Sequence, residues 1–514
     1  MRSMKNKIVS LGVDIGGTGC KCAAFEEDGT QLAVVYREYP LKPGTVNLPP
    51  DLLTSSVFEV ISRCAAEVPD RSSIAAVTVS SFGESFAALD AEGSPLSEIQ
   101  MYFGDSDSCE FTGLVRKIGA EKFMETAMLY PDASYSLSRM LSTESTAKKP
   151  VQKYLFVAGY LCFQLCGRAC TDVSLACRSL LYDVRNNCWA RGLAEACGIR
   201  PETLPEVLPT GSEAGTVLPE IAARLGLPSD TKVVIGAHDQ IVNALGAGAT
   251  GAGEAVDTSG TCECLTPLFS ELPSDPGFVK NRFACVPYPD SLGYVTYAYN
   301  ISAGSVVRWF RDTFGKALQK EASERGLSIY DLLNEKCPPE PTGLMVLPFL
   351  QGMGGTPEAD SQATGLIAGL TTRTELPDIY RAILEGITFE MRYNQECLNK
   401  NGISWNRLYA CGGGARSKIW LQIKADILNC RIVPVMREET GAMGSAILGF
   451  SAVTGESIRK ISRRFAKYGP AVCPNPEHQK IYNEKYQIYK ALRKLYTGRN
   501  SLFSKAGQEG NSNG

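Results

Sequence analysis

Three glycines lie between an acid and a lysine at residues 14–21, and this segment has the clearest chemical potential in the sequence. Apolar runs flank it on both sides, so it is predicted to form the turn between two strands. Glycine lets backbone amides approach phosphate oxygens closely, while Thr18 adds a hydroxyl donor and Lys21 a positive charge. Asp14, at the strand end, is suited to hold Mg²⁺ through water. The alternative is a glycine-rich hairpin with a structural aspartate.

Two further glycine turns are predicted between regular elements. Residues 257–261, Asp-Thr-Ser-Gly-Thr, form a polar turn between strands and match the first turn in kind. Two such hairpins facing each other could grip the β- and γ-phosphates of a nucleotide from both sides. Residues 412–417 contain three glycines between a strand and a helix, where adenine could rest on bare backbone. An ordinary strand-to-helix turn is the alternative for this last segment.

Asp239 lies where a predicted strand at residues 232–235 gives way to a helix. Ligands of α/β sheets usually bind at the carboxyl ends of the strands, which makes this acid a candidate site residue. The alternative is that Asp239 only caps the helix N-terminus.

Two common nucleotide-binding motifs do not explain the sequence. The P-loop pattern Gly-x-x-x-x-Gly-Lys-Ser/Thr does not occur. Residues 246–251 fit Gly-x-Gly-x-x-Gly, but the residues before them have a helical pattern rather than that of a strand. We therefore do not expect a dinucleotide site.

Composition limits the class of protein. The chain has 514 residues, 44% of them hydrophobic and 21% charged, and a formal net charge of −3. These values are typical of a soluble globular protein and give nucleic acid no basic surface to bind. Eighteen cysteines are scattered along the chain and only two histidines occur, so we expect neither a disulfide framework nor a zinc site. A reducing, cytoplasmic location is predicted, with no membrane segment.

The order of predicted elements indicates two similar α/β halves. Strands are expected at residues 7–15, 20–25 and 32–36, followed by a helix and another strand. A similar order begins again at residue 254, which suggests an internal duplication. Small residues dominate at 246–253, the candidate boundary. The predicted domains are residues 7–248 and 249–500, followed by a disordered tail at 501–514.

The order of these motifs resembles that of the FGGY carbohydrate kinase family. The shared segments are residues 14–18, 236–240, 258–261, 412–417 with Trp420, Ala425 and Asp426, and the small-residue segment 439–446. The resemblance implies an α/β fold of two ribonuclease H-like (actin-type) domains flanking an active-site cleft. The N-terminal domain would hold the sugar, the first phosphate loop and the catalytic aspartate, and the C-terminal domain the nucleotide.

The same resemblance implies roles for individual residues. Asp239 corresponds to the catalytic base and Asp14 to the magnesium-associated acid. The phosphate grip corresponds to Thr18, Lys21, Gly260 and Thr261, and the nucleotide border to Gly304, Gly413 and Gly414. Glu84 and Tyr135, together with Asp239, resemble the sugar-contacting positions of the glycerol kinase branch. The first loop reads Gly-Gly-Thr-Gly where many members have Gly-Thr-Ser or Gly-Thr-Thr, so no subfamily is assigned.

The predicted function is an ATP-dependent sugar kinase that uses Mg²⁺. It would transfer the γ-phosphoryl group of ATP to a hydroxyl of a small neutral ketose or polyol, with Asp239 as general base. The predicted partner is a small molecule rather than nucleic acid or a membrane, and a homodimer is the assembly considered. The alternatives are an actin-fold nucleotide switch and a degenerate kinase that acts as a sugar- or nucleotide-responsive regulator.

Overall fold

The computed structural model describes residues 8–42, 44–104 and 108–497, without the side chains of Ser108 and Ala317. The tail predicted at residues 501–514 lies outside these residues. None of the described helices is long and apolar enough to cross a membrane.

Strands are distributed along the whole described chain and are numbered here in chain order. They are β1 (Val9–Ile15), β2 (Gly19–Glu26), β3 (Gln31–Glu38), β4 (Asn47–Leu48), β5 (Ile74–Ser81), β6 (Phe86–Leu89), β7 (Ile99–Gln100), β8 (Lys153–Phe156), β9 (Cys170–Asp172), β10 (Tyr182–Asp183), β11 (Cys188–Trp189), β12 (Glu206–Leu208), β13 (Glu213–Thr216), β14 (Lys232–His238), β15 (Glu254–Ser259), β16 (Glu263–Phe269), β17 (Val286–Pro287), β18 (Tyr294–Val295), β19 (Ala298–Asn300), β20 (Met345–Leu347), β21 (Leu366–Ala368), β22 (Arg407–Gly412) and β23 (Arg431–Pro434).

Helices alternate with these strands. They are α1 (Pro50–Glu67), α2 (Ser108–Ile118), α3 (Ala120–Ala127), α4 (Ser136–Thr146), α5 (Val157–Cys166), α6 (Val173–Cys177), α7 (Arg191–Ala196), α8 (Pro219–Leu225), α9 (Asp239–Gly246), α10 (Pro276–Lys280), α11 (Gly304–Phe314), α12 (Lys316–Glu324), α13 (Ile329–Lys336), α14 (Leu376–Lys400), α15 (Lys418–Leu428), α16 (Thr440–Thr454), α17 (Ile458–Phe465) and α18 (Pro476–Tyr496).

The first large sheet has the strand order β13-β14-β5-β1-β2-β3. Its centre is parallel, because β1 and β14 both run in the direction of β5, whereas β1, β2 and β3 form an antiparallel meander. Nearly every side chain of β1 is buried. This burial explains the uninterrupted apolar run of the strand, since both faces of a central parallel strand are covered.

The second large sheet repeats the central arrangement of the first. Strand β15 pairs antiparallel with β16 and parallel with β22, as β1 pairs with β2 and β5. Its strand order is β17-β18-β16-β15-β22-β23, with β19 also paired to β16. The β15–β16 hairpin is therefore the counterpart of the β1–β2 hairpin, as the similar order of the two halves predicts.

Helix α16 joins the two halves. It belongs to the C-terminal half of the chain, yet it packs on α9 and on β1 and β5 of the first sheet. The approach is close: a Cβ at Gly12 of β1 would lie 1.8 Å from the carbonyl oxygen of Ala442. The small residues of α16 allow this approach, which brings its N-terminal end to the carboxyl end of β1.

The uncharged segment at residues 154–167 begins as a strand and continues as a helix. Strand β8 pairs antiparallel with β6, and the ring of Tyr154 meets that of Phe86 edge-on at a centroid distance of 5.0 Å. The helix α5 starts only at Val157. Aromatic side chains pack well across neighbouring strands, so the contact with β6 determines the local structure here.

Candidate active site

Asp14 lies near the end of β1 and opposite Lys21 across the β1–β2 hairpin. The pKa of its carboxyl is raised to about 7, mainly by burial and further by the charges of Asp239 and Glu439, while Lys21 opposes the rise. The predicted metal-associated acid and the predicted base therefore interact electrostatically. A cation at this position would compensate a negative charge that the protein itself compensates only in part.

These surroundings fit a magnesium ion that arrives with a nucleotide. Within the described ranges, no group of three or more His, Cys, Asp or Glu side chains is arranged to hold a metal on its own. Mg²⁺ does not need such a group, because it keeps several waters and is usually bound by one or two carboxylates together with substrate phosphates. A partly buried carboxylate such as Asp14 is consistent with that mode.

The first turn of α16 abuts Asp14. A Cβ placed on Gly441 would lie 2.3 Å from Asp14 Oδ2, closer than real side-chain atoms approach. The backbone of α16 therefore borders the carboxylate directly. The requirement for glycine arises from this contact, since the residue is helical.

We expect Gly441→Ala to lower kcat/KM for Mg-ATP at least about tenfold, because its methyl group displaces Asp14 or the start of α16. Overpacking of this kind typically costs about 1–3 kcal/mol of stability. Gly192→Ala is the matched control, since a Cβ at this helical glycine of α7 meets nothing within 4 Å. Steady-state kinetics and thermal unfolding of both variants test this expectation. Equal kinetics in the two variants would contradict it.

Lys21, the cation predicted to grip phosphate, is paired across the two halves. Its Nζ lies 2.5 Å from Glu439 Oε2, immediately before α16. Thr18, at the tip of the same hairpin, is exposed. Thr18 can therefore meet a ligand directly, whereas a phosphate contact by Lys21 requires it to exchange or share its partner Glu439.

Asp239 is the first residue of α9, and the capping residue is His238. The alternative that Asp239 is only the helix cap therefore does not hold. His238 Nδ1 lies 3.0 Å from Asp239 Oδ1 and 3.3 Å from the Gln240 amide nitrogen. Which of these contacts forms depends on which ring nitrogen carries the proton.

The pKa of the Asp239 carboxyl is lowered overall. Burial alone would raise it, but His238, the Gln240 amide and the Arg178 guanidinium together outweigh burial. Asp239 is therefore ionised at neutral pH and able to accept a proton. The His238 ring is held in turn by stacking on Tyr297 at 5.1 Å, so a residue of the C-terminal half packs beside the acid.

The second predicted phosphate turn connects β15 and β16. Gly260 and Thr261 are exposed, and the turn is closed by the Gly260 N–H donating to the Cys262 carbonyl at 2.9 Å. Gly304, at the start of α11, packs on it so closely that a Cβ would lie 2.1 Å from the Gly260 carbonyl oxygen. The Ser305 N–H donates to the Thr261 carbonyl at 3.0 Å. The predicted residues at this turn are therefore neighbours.

The glycines at 412–414 lie beside the same turn. In the β15–β22 ladder Ser259 is the partner of Gly412, and Gly413 and Gly414 follow in a short 3-10 helix, Gly413–Arg416, before α15. Both the turn and the helix start are therefore available on one edge of the second sheet, as the strand-to-helix pattern predicts.

Glu84 and Tyr135, the predicted sugar contacts, are both buried and meet at an arginine that the sequence interpretation did not include. Arg178 Nε donates to Glu84 Oε1 at 2.6 Å. Its guanidinium lies 4.9 Å from the Tyr135 ring and 5.5 Å from the Tyr297 ring. The arginine thus lies within cation–π distance of two aromatic rings, with its charge balanced by Glu84.

Gly83 makes room for this arrangement. A Cβ at Gly83 would lie 2.8 Å from the His238 ring and 3.1 Å from Arg178. Glu84 itself has a positive φ of 64°, which is uncommon for a residue other than glycine. A glycine followed by an acid in the predicted loop was the only local signal. Arg178, 94 positions away from Glu84, gave no signal of its own.

The comparisons with known proteins cover the whole site. Residues 9–246 match the N-terminal domain and residues 258–453 the C-terminal domain of the FGGY family of carbohydrate kinases. A xylulose kinase of Lactococcus lactis is 26% identical over 94% of this chain and 96% of its own length. A gluconokinase of Bacillus subtilis is 28% identical over 86% of this chain and 87% of its own.

Solved structures of the same kind share the fold. A ligand-bound xylulose kinase from Lactobacillus acidophilus has a TM-score of 0.85 at 23% identity, covering 96% of this chain and 99% of the other. A gluconate kinase from the same organism has a TM-score of 0.85 at 23% identity, covering 97% and 100%. The predicted fold, two actin-type α/β domains flanking a cleft, is thereby confirmed.

Proposed function

We propose how the reaction proceeds in this chain, which belongs to the FGGY family of carbohydrate kinases and is therefore an ATP- and Mg²⁺-dependent phosphotransferase. The observation that carries the proposal is the position of Asp239, which directly follows β14, lies 3.0 Å from His238 Nδ1 and interacts electrostatically with Asp14. Asp239 is able to accept a proton, and the negative charge of Asp14 is only partly compensated by the protein.

Asp239 acts as the general base in this proposal. A sugar hydroxyl is a poor nucleophile at neutral pH, so its proton must leave as the bond to the γ-phosphorus forms. The lowered pKa keeps Asp239 ionised, and His238 fixes its orientation. Because the transition state of phosphoryl transfer is largely dissociative, catalysis also depends on positioning the hydroxyl in line with the γ-phosphorus.

The phosphate groups lie between the two glycine hairpins. Thr18 and Lys21 act from the first hairpin, and Gly260 and Thr261 from the second. Gly304, Gly413 and Gly414 border the nucleotide. Mg²⁺ held near Asp14 neutralises charge on the phosphates when bound. Loop amides and Lys21 supply the remaining stabilisation on the protein side.

The charges of the sugar side favour a neutral substrate. Arg178 is paired with Glu84, and Arg282 is paired with Asp132, so both guanidiniums are already balanced. Asp239 then adds a further negative charge, which His238 and Arg178 stabilise. A sugar acid or sugar phosphate would meet this charge, whereas a ketose or polyol can offer hydroxyls to it. We therefore propose a small neutral ketose or polyol, although the relatives include a gluconokinase.

Replacing Glu84 by glutamine tests the sugar contact. We expect Glu84→Gln to raise KM for the sugar about tenfold or more, because Arg178 loses its counter-charge and the substrate loses an acceptor. KM for ATP should change less than about twofold, since the nucleotide is assigned to other residues. The measurement is steady-state kinetics with each substrate varied in turn.

Glu206→Gln provides the matched control. Glu206 accepts from Arg168 at 2.9 Å, but both side chains are about half exposed and lie outside the site. The same chemical change there should leave both KM values unaltered. An unchanged sugar KM in Glu84→Gln would remove Glu84 from the sugar site.

The substrate class is tested by a screen for sugar-dependent ADP release over ketoses, deoxyketoses, polyols, gluconate and sugar phosphates. The proposal expects ADP release with one or more neutral compounds. Release with anionic sugars alone would contradict the neutral substrate. No release with any compound would favour the degenerate kinase.

Other properties of the chain stay predictions. All eighteen cysteines lie among the described residues and carry thiols rather than disulfides, which supports a reducing, cytoplasmic location. The absence of nucleic-acid and membrane partners, the homodimer and the division into residues 7–248 and 249–500 are likewise proposed. Sedimentation of the purified chain is the direct measurement of its assembly.

A further inference from the structure

A buried ammonium group lies beneath the second phosphate turn. Lys424, on α15, is 1% exposed. Its Nζ contacts Asp257 Oδ2, lies 2.5 Å from Ser259 Oγ and 2.6 Å from Glu263 Oε1. An ammonium group has three N–H donors, and here three oxygens surround it. The ring of Trp420, one turn earlier in α15, lies 4.5 Å from the same nitrogen.

The three acceptors share one face of the β15–β16 hairpin. Asp257 and Ser259 are two residues apart in β15 and so point to the same side. Glu263 is the cross-strand partner of Ser259 and joins them on that side. The hairpin turns at residues 260–262, directly after Ser259 and before Glu263. Lys424 therefore binds both strands at the point where the phosphate turn begins and ends.

The same turn is fixed from two other directions. Gly304 and Ser305 of α11 pack on its outer edge, as described above. Gly414 approaches from the adenine side, where a Cβ would lie 2.6 Å from Ser259 Cβ. Ser259 is thus a common contact of Lys424 and of the glycine loop that borders the nucleotide. A shift of Ser259 would change the phosphate turn and the glycine loop together.

We propose that Lys424 is a positioning residue for nucleotide phosphate, holding the turn at residues 260–262 in its binding shape through Asp257, Ser259 and Glu263. This inference rests on the proposed phosphate-binding role of that turn. Lys424 does not touch the nucleotide in this account, because its ammonium group is enclosed by Asp257, Ser259 and Glu263 beneath the turn.

The balance of charges in the cluster explains how Lys424, Asp257 and Glu263 can all be buried together. Asp257 and Glu263 are both buried with one lysine between them. Burial raises the pKa of Glu263, with Asp257 adding to the rise and Lys424 opposing it. A protonated Glu263 leaves one carboxylate, that of Asp257, to balance one ammonium group. A balanced cluster avoids the large cost of an unpaired buried charge.

The experiment removes the ammonium without leaving a charge behind. Lys424→Met alone would leave the buried carboxylate of Asp257 without a counter-charge. The variant is therefore Lys424→Met combined with Asp257→Asn in the full chain. We expect its KM for Mg-ATP, and its Kd for Mg²⁺ with a non-hydrolysable ATP analogue, to rise about tenfold or more. KM for the sugar should stay within about twofold, a split that general destabilisation would not produce.

Lys485→Met is the matched control. Lys485 is a second buried lysine, on α18, and its partner Glu385 remains paired with Arg381 when the lysine is removed. This variant should keep the wild-type Kd and KM for nucleotide. If the Lys424 and Asp257 double variant is folded and binds the analogue as tightly as wild type, the proposal is wrong.

A second variant, Glu263→Gln, tests the proposal independently if the Lys424 and Asp257 double variant does not fold. Asp257 and Lys424 are the charged groups that face Glu263, and glutamine mimics its protonated form. In wild type kcat/KM for ATP should fall at alkaline pH, as Glu263 ionises and a second buried carboxylate forms beneath the turn. Glu263→Gln should lose that fall, and an identical pH profile would overturn the proposal. Failure of the proposed function is distinct, since wild type itself would then release no ADP with any sugar.

Discussion

Asp239→Asn should reduce kcat by about 10²-fold or more while the protein remains folded. Asparagine keeps the size of the side chain but cannot accept the hydroxyl proton, and it loses the charge that interacts with His238. KM for ATP and the affinity for Mg²⁺ with a non-hydrolysable analogue should change little. Steady-state kinetics, calorimetry and thermal unfolding of the same preparation measure the three quantities.

The stability of this variant separates catalysis from folding. Asp239 begins α9, but the capping residue is His238, so the helix N-terminus keeps its cap in Asp239→Asn. We expect the unfolding temperature to change by only a few degrees. Turnover close to that of wild type would exclude Asp239 as the general base. A large loss of stability would leave the kinetic result explained by unfolding rather than by chemistry.

Asp14→Ala should lower kcat/KM for Mg-ATP by about 10²-fold, with a much smaller effect on sugar binding. The carboxylate is partly buried near the end of β1 and interacts with Asp239 and Glu439, so its removal takes away the protein charge nearest the proposed ion. Titrating Mg²⁺ at fixed ATP is the sharpest measurement, because the variant should need more metal for half-maximal rate. Unchanged metal dependence and turnover would make Asp14 structural.

The stability of Asp14→Asn gives an independent test with a defined sign. The pKa of Asp14 is raised from its ordinary value of 3.8 to about 7, so the folded state holds a proton that the unfolded state releases between these values. The native protein therefore loses stability as pH rises through 7. Asp14→Asn lacks this titration, and its advantage over wild type should appear at pH 8 and vanish near pH 4. Equal stability at both pH values would contradict the raised pKa.

Local patterns made the two glycine hairpins predictable. The segment at residues 14–21 carries its acid, glycines and lysine within eight positions, and the β1–β2 hairpin forms where the apolar runs place it. Asp239 was likewise found because it directly follows a buried strand. In both cases the residues that form the motif are close neighbours in the sequence, so the local pattern is enough to recognise it.

Contacts between distant residues were not predictable in the same way. Arg178 meets Glu84 only because Gly83 leaves space for it, and neither residue gives a charge pattern in its own segment. Glu439 and Gly441 were seen as part of a small-residue motif. Their contacts with Lys21 and Asp14 form because α16 packs on the first sheet. The spacing of hydrophobic residues within α16 does not indicate which sheet it packs on.

The central claim is that the γ-phosphoryl group passes to a sugar hydroxyl under the control of Asp239. The most direct measurement is ³¹P NMR of wild type and Asp239→Asn with Mg-ATP and a neutral sugar that supports ADP release. Wild type should produce one phosphate monoester for each ADP, and Asp239→Asn should produce both at least about 10²-fold more slowly. ADP formed together with inorganic phosphate and no ester would identify a nucleotide switch and contradict the account.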